Sequence, residues 1–350
     1  MVPKILHLLP SRALGGAEQI AILIAQMLSS NYRFAYASPK GSITDIILKN
    51  NITFLPIDRL SLTAVARVLR RFQPDIIHAH DFRPSVIAAM IPYHGAIISH
   101  LHCNVAWAHH VNTRTLIYHA ALWRFQRVFV VSRPVLDDFA FHNALARKAT
   151  VLPNIVAAER VITRAEGRQV APADLVYVGR LSAAKNPLRF LTIVNDVKRH
   201  RGHVSALMVG QGELEGACKQ AIHDLNLGAN VQMVGFHENP YPYMRAGRVL
   251  IVPSSWEGFG LVALEAQLLG VPVLCTPVGG LQAVVKQGQG GFLCATDDEF
   301  VARAIQLLEQ PSLHQAQSAY ARARGHTLAD PRPFCQTLDE VYQRALDTRQ

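Results

Sequence analysis

Two carboxylates eight positions apart, Glu257 and Glu265, mark the most informative stretch of the chain, residues 251–280 with the sequence IVPSSWEGFGLVALEAQLLGVPVLCTPVGG. A strand over 250–252 and a helix over 260–269 bracket Glu257 in a loop at the carboxyl end of a strand, where open α/β sheets hold their ligands. Glu265 falls on a helix that is apolar on nearly every face. A carboxylate there is costly unless several donors satisfy it, and the hydroxyls of a ligand are such donors. Phe259, Gly260 and Leu261 open the helix with unpaired backbone N–H groups, a ready place for an anion. The alternative is a solvated Glu257 and a Glu265 paired with an arginine, since ion pairs of that kind are common.

A second loop, 179–187 (GRLSAAKNP), carries Arg180 and Lys185 directly after a strand-like run. Two cations there can neutralise a diphosphate without a metal, Arg180 as a planar fork and Lys185 as a point charge; plain surface solvation is the alternative. Gly210-Gln211-Gly212-Glu213 is another strand-glycine-helix turn, and Gly15 and Gly16 form one near the amino terminus. Glycines at a helix start let a ligand approach the backbone, although a simple tight turn uses them equally well. The spacing is not G-x-G-x-x-G and no acidic residue closes a second strand in the dinucleotide pattern, which sets nicotinamide cofactors aside.

Histidines come in pairs two apart, His78 with His80 and His100 with His102, so each pair shares one face of its strand. No carboxylate or thiolate spacing accompanies them, and no metal site is expected. His102, last before a loop, is the one placed to face a ligand; the alternative is a hydrogen-bonded core histidine.

The elements that must position these groups follow from apolar periodicity. Strand-like runs at 4–9, 34–37, 53–55, 76–79, 96–101 and 128–131 alternate with helix-like stretches such as 17–28, 62–72 and 113–127. A second alternation runs from 175–178 through 204–209, 231–234, 250–252 and 271–274. Alternation of this kind predicts α/β architecture with two doubly wound, Rossmann-like sheets. The expected division is a domain over 1–156, a polar, Pro-containing linker over 157–172, a domain over 170–325 and a helical segment over 326–350.

Composition narrows the function classes. Half of the 350 residues are apolar, enough for two cores, and no run approaches a membrane span or a signal peptide. Cys103, Cys218, Cys275, Cys294 and Cys335 are odd in number and without a C-x-x-C pair, fitting a reducing, cytoplasmic compartment. Residues 1–155 hold 16 basic and 7 acidic side chains, a net +9, while the rest of the chain carries +1. The basic half implies an anionic partner, a phosphorylated acceptor or an anionic membrane surface. Helix-like stretches with Arg67, Arg70 and Arg71, and with Arg114, Trp123 and Arg124, could rest on such a surface or could be ordinary surface helices. Nucleic acid is not expected, because the arginines are dispersed and no recognised module is present.

Gly15-Gly16-Ala17-Glu18, the His102 strand end, Val178-Gly179-Arg180-Leu181 with Lys185, Gly210-Gln211-Gly212, and Glu257-Gly258-Phe259-Gly260 with Glu265 together resemble the retaining, nucleotide-sugar-dependent glycosyltransferases of GT-B fold. These enzymes build bacterial lipopolysaccharide, capsule and other glycans. The resemblance runs over roughly 1–310 and is densest over 175–293. It implies two domains facing across a cleft. On the donor side Arg180 and Lys185 would hold the diphosphate, Glu265 the ribose and Glu257 the donor sugar near its anomeric carbon, with Gly212, Phe259, Gly260 and Leu261 in the same pocket. On the acceptor side would lie Gly15, Gly16 and His102. The chain departs from the family at Ile155, where glycine is usual, and at Cys103, where Thr, Ser or Asn is usual.

The expected activity is transfer of a sugar from a nucleotide diphosphate donor, UDP by family frequency, to a hydroxyl of a saccharide or lipid-linked acceptor. No cofactor and no metal would be needed. A nucleotide-sugar epimerase on the same scaffold would require an acid/base pair at the sugar ring that the sequence does not display. A non-catalytic nucleotide-sugar-binding protein would have no need of intact charges at all four of Arg180, Lys185, Glu257 and Glu265.

Overall fold

The computed structural model of the chain describes residues 2–102 and 105–347. Cys103 therefore lies outside the described residues. Two compact units divide it, one made of residues 1–155 with 331–350 and the other of residues 156–330.

In the first unit the strands are β1 (Lys4–Leu8), β2 (Arg33–Pro39), β3 (Thr53–Ile57), β4 (Ile76–His80), β5 (Ala96–Leu101), β6 (Arg127–Val130) and β7 (Ala149–Val151). They form one sheet in the order β3-β2-β1-β4-β5-β6-β7, parallel throughout. Strands such as IIHAH in β4 are buried at every position, which is why they read as continuous runs rather than as alternation. The order reverses direction between β1 and β4, making a switch point at their carboxyl ends.

The helix Leu62–Phe72 shows how the layer is built. Val65, Val68, Leu69 and Phe72 are buried on one stripe, Ser61 caps the start by accepting from the Ala64 N–H, and Arg67, Arg70 and Arg71 are exposed on the other face. The expected helix over 113–127 is shorter: it spans Thr113–Ala121, followed by a tighter turn over Leu122–Arg124. The strand β7 had no counterpart in the sequence reading, its three residues being too few to show a period.

The second unit contains β8 (Ala173–Val178), β9 (Ala206–Val209), β10 (Val231–Gly235), β11 (Gly247–Val252), β12 (Val273–Cys275) and β13 (Gly291–Leu293), ordered β10-β9-β8-β11-β12-β13 and again parallel. Its switch point lies between β8 and β11. Leu175, Tyr177, Phe190, Val249, Ile251 and Phe300 are among the residues of its core.

Two expectations about the ends of the units are corrected. The stretch read as a linker contains a helix, Ala158–Glu166, whose Val161 and Ala165 stand four apart and are buried. It packs on the helix Tyr241–Ala246, and Asn239 donates to the Arg164 carbonyl at 2.8 Å. Nor does the helical segment expected over 326–350 stand apart from both units. The helix Pro311–Leu328 belongs to the second unit, while Pro331–Asp347 belongs to the first. There the Tyr32 hydroxyl donates to the Asp339 carboxylate at 2.7 Å, and Tyr342 reaches His78. Bonds spanning some three hundred residues cannot be read from local periodicity.

Candidate active site

The carboxyl edge of the second sheet gathers four loops. The loop after β8 is stitched to the one after β9 by Leu181 N–H to the Gln211 carbonyl at 3.0 Å and by Leu214 N–H to the Leu181 carbonyl at 2.9 Å. The loop after β11 is tied to it by Ser255 N–H to the Ala184 carbonyl at 2.8 Å. Thr276 closes the group from β12 by donating to the Ser254 carbonyl at 2.6 Å.

Two glycines are dictated by this closeness. A Cβ at Gly212 would stand 2.4 Å from the Leu181 carbonyl oxygen. One at Gly279 would stand 1.7 Å from that of Glu257, and Gly279 adopts φ +52°, in the left-handed region.

In this frame Lys185 forms an ion pair with Glu257 Oε2. Ser254 donates to the same oxygen at 3.5 Å. Arg180 projects from the same loop with its side chain exposed and, among the described residues, with no ion-pair partner; its carbonyl accepts from the Tyr177 hydroxyl at 2.9 Å. The two loops meet at the switch point between β8 and β11, so the charges stand where the crossover geometry leaves a crevice.

Gly260 adopts φ +97° and starts the helix Leu261–Leu268. Its carbonyl accepts from Ala263 and Leu264, and the backbone N–H groups before them open the helix. Phe259 is buried beneath. One turn further on, Glu265 is 8% exposed, and the Tyr241 hydroxyl donates to its Oε1 at 3.1 Å. Burial pushes the Glu265 carboxyl up to about 7, an effect the Tyr241 hydrogen bond partly offsets. A carboxyl so placed gains strongly from further hydroxyl donors. Tyr241 had no signal in the sequence beyond its place before Pro242 in an irregular run.

Residues 159–324 match Glycosyl transferases group 1, and residues 15–160 match Glycosyltransferase Family 4. The second unit matches the group 1 glycosyltransferases and the first the family 4 ones, and the chain is a glycosyltransferase. Among its relatives, the lipopolysaccharide core biosynthesis glycosyltransferase LpsE of Rhizobium meliloti is 26% identical over 302 residues, covering 83% of this chain and 85% of the relative. The UDP-Gal:alpha-D-GlcNAc-diphosphoundecaprenol alpha-1,3-galactosyltransferase of Escherichia coli is 23% identical over 332 residues, 84% of each chain. Among solved structures, that of Anabaena HepE in complex with UDP and glucose superposes with a TM-score of 0.85 at 20% identity, covering 98% of this chain and all of the other. The two parallel-sheet units are those of the GT-B fold.

In the first unit of the glycosyltransferase the expected residues are placed differently from one another. Gly15 caps the helix Gly16–Met27 with φ −136°, so neither turn strain nor a left-handed backbone requires it, and the atom a Cβ would meet, Glu18 Oε2 at 2.7 Å, is the end of a flexible side chain. Gly16 is exposed at the helix start.

The ring of His102 is directed at another histidine of the sheet rather than at solvent. Its imidazole is buried, with Nε2 directed at His80 Nδ1 at 2.9 Å, and the His102 backbone N–H donates to Asp81 Oδ1 at 2.9 Å. The reason is register. β1 pairs with β4 so that His7 stands opposite His78, and β4 with β5 so that His80 stands opposite His100, bringing five rings to one side of the sheet. His7 is the member that the sequence reading missed, because it lies alone on its strand.

The two stretches considered as lipid-facing also separate. The apolar stripe of Leu62–Phe72 packs on the core, leaving its arginines outside with Leu62 as the one exposed large apolar side chain of the helix. The helix Thr113–Ala121 and its following turn instead expose Leu116, Ile117 and Trp123, the last by 76%, beside the exposed Arg114 and the half-buried Arg124. Arg124 stacks over the Trp123 ring at 5.4 Å.

Proposed function

We propose that this glycosyltransferase moves a sugar from a nucleotide diphosphate donor, a UDP-sugar, to a hydroxyl of a saccharide or lipid-linked acceptor in surface-glycan synthesis, with retention at the anomeric carbon. The observation that carries the reading is the convergence of Arg180, Lys185 and Glu257 on one switch point, with Glu265 a helical turn behind the amide-rich start of its helix. The relatives that act in lipopolysaccharide core synthesis and on a diphosphoundecaprenol-linked sugar support the pathway class. HepE, seen with UDP and glucose, supports the donor class.

The chemistry is electrostatic. As the glycosidic bond opens, negative charge grows on the departing diphosphate. Arg180 offers a planar fork, and Lys185 has three N–H donors, one directed at Glu257 and two left for phosphate oxygens. The backbone N–H groups at Gly260 and Leu261 add partial positive charge at the helix start. Glu257, held by Lys185, lies beside the place where positive charge grows on the sugar, and Glu265 accepts the ribose hydroxyls. The diphosphate oxygen takes the acceptor's proton on the face from which it left, which gives retention. None of these steps calls on a metal or a cofactor.

Peripheral attachment to the inner face of the cytoplasmic membrane completes the reading. Among the described residues no helix is long and apolar enough to cross a membrane. The surface carrying Leu116, Ile117, Trp123 and Arg114 combines apolar and basic groups, as an anionic headgroup region requires. The experiment that tests the activity is incubation of the purified chain with a panel of nucleotide sugars and acceptors. Product whose new linkage keeps the donor's anomeric configuration supports the proposal, and an isomerised nucleotide sugar formed without acceptor overturns it in favour of an epimerase.

A further inference from the structure

We propose that His80, His100 and His102 form a binding site for a divalent transition-metal ion of the zinc class. One ring nitrogen from each of the three lies within 4.8 Å of the other two. His80 Nδ1 and His102 Nε2 already point at each other, 2.9 Å apart, and His100 Nε2 is buried with no hydrogen-bond partner among the described residues. Tetrahedral zinc with bonds of about 2.0–2.1 Å needs ligand nitrogens about 3.3 Å apart, a spacing between the 2.9 Å of the His80–His102 pair and the 4.8 Å that bounds the trio. His102 Nδ1 also lacks a partner, and its ring can turn without losing a bond there. The unsatisfied His100 nitrogen, buried within reach of the His80–His102 pair, marks a group that the protein atoms alone do not supply.

The surroundings are those of a metal site. A ligating imidazole usually donates its other N–H to a fixed partner, which sets its tautomer. His80 has such a partner at Nε2, 2.8 Å from His7 Nδ1. His100 has one at Nδ1, 3.2 Å from His78 Nε2, and His78 is itself anchored through Nδ1 to the Tyr342 hydroxyl at 2.7 Å. The Asp81 carboxylate, which holds the His102 backbone, brings negative charge beside the site.

Burial keeps the rings neutral and ready to coordinate: His102 is held down to about 3, and His80 and His100 well below the ordinary imidazole range. The alternative trio, His7 with His78 and His80, is fully enclosed. Only His102, at the strand end and 8% exposed, opens a route for an ion, which favours the trio that includes it. Three nitrogens leave a fourth position for water.

Cobalt(II) is the probe, because tetrahedral Co²⁺ absorbs strongly in the visible whereas octahedral Co²⁺ on surface histidines absorbs weakly. The metal-free full chain titrated with Co²⁺ is expected to develop the tetrahedral spectrum with one equivalent, to lose it on adding Zn²⁺, and to melt higher with Zn²⁺ than without. His100→Gln and His102→Gln should each abolish the spectrum, and a His109→Gln/His110→Gln double variant should retain it. If His100→Gln does not fold, His102→Gln, at the edge of the cluster, decides. Absence of the tetrahedral spectrum in the unaltered protein, or its persistence in a folded His102→Gln variant, overturns the site.

Discussion

Lys185 and Glu257, 72 residues apart in sequence, form an ion pair that joins the loop after β8 to the loop after β11. With side chains 29% and 12% exposed, the pair is largely withdrawn from solvent, so removing one partner leaves the other charge poorly compensated. Lys185→Ala and Glu257→Gln are each expected to lower kcat/KM by about 10²–10³-fold, the loss seen when one transition-state donor is removed. Because the two act as a unit, the double variant should lose much less than the product of the single losses. Steady-state kinetics on the four proteins checks this; strict multiplicativity would show that the pair is incidental.

Arg180 is exposed and has no ion-pair partner among the described residues, so its replacement should act on transfer rather than on folding. Arg180→Ala should slow transfer by about a hundredfold or more while leaving the melting temperature within a degree or two. Arg180→Lys should restore only part, because an ammonium cannot bridge two phosphate oxygens as a fork does. Thermal unfolding beside kinetics separates the two effects.

Donor binding should be coupled to proton release. With its carboxyl raised to about 7 by burial, Glu265 is about half protonated in the free protein at neutral pH. Ribose hydroxyls donating to it favour the ionised form and draw its pKa down in the complex. Affinity is therefore full above about pH 7 and weakens as pH falls through and below that value. Calorimetric titration with UDP between pH 6 and 8, in two buffers of different ionisation enthalpy, measures the proton released. Tyr241→Phe removes a bond that lowers the Glu265 pKa, so the weakening should begin at higher pH, whereas Glu265→Gln should abolish the dependence.

Gly279→Ala tests the loop packing. Its positive φ alone costs a non-glycine residue about 1–3 kcal/mol, and the added carbon would meet the Glu257 carbonyl oxygen. The urea midpoint should fall, and donor affinity should fall more than the stability loss explains, because the displaced backbone carries Glu257. Gly228→Ala, where a Cβ would meet nothing within 4 Å, is the control.

Attachment to membranes should follow the exposed apolar and basic face rather than charge alone. In flotation with anionic vesicles, Trp123→Ala with Ile117→Ser should release the protein, and Arg114→Ala should weaken attachment by about 1 kcal/mol. The Arg67→Ala/Arg70→Ala/Arg71→Ala variant should still float, since that helix buries its apolar stripe in the core. High salt should weaken binding to anionic vesicles as the Debye length shortens toward about 3 Å. Release by the arginine triple variant with none from the Trp123 variant would move the surface to the other helix.

Local sequence determined the alternation of strand and helix, because a parallel strand buried on both faces must be an apolar run and a covering helix must repeat near 3.6 residues. It also put Arg180, Lys185, Glu257 and the glycine turns in loops at strand ends, since glycine and charge interrupt those runs where the chain leaves the sheet. Tertiary structure alone decided which loops touch. Strand order brings β8 beside β11, and only then does Lys185 find Glu257. Register decided the histidines: two pairs were legible as neighbours on their strands, but the alignment of β1 with β4 and of β4 with β5 joined them to His7 and turned His102 inward. The helix Pro331–Asp347 returns to the first unit through Tyr342 and Asp339, and Tyr241 meets Glu265 from another helix. Contacts made across such sequence separations depend on how whole elements dock, a free energy summed over many residues that no short stretch carries.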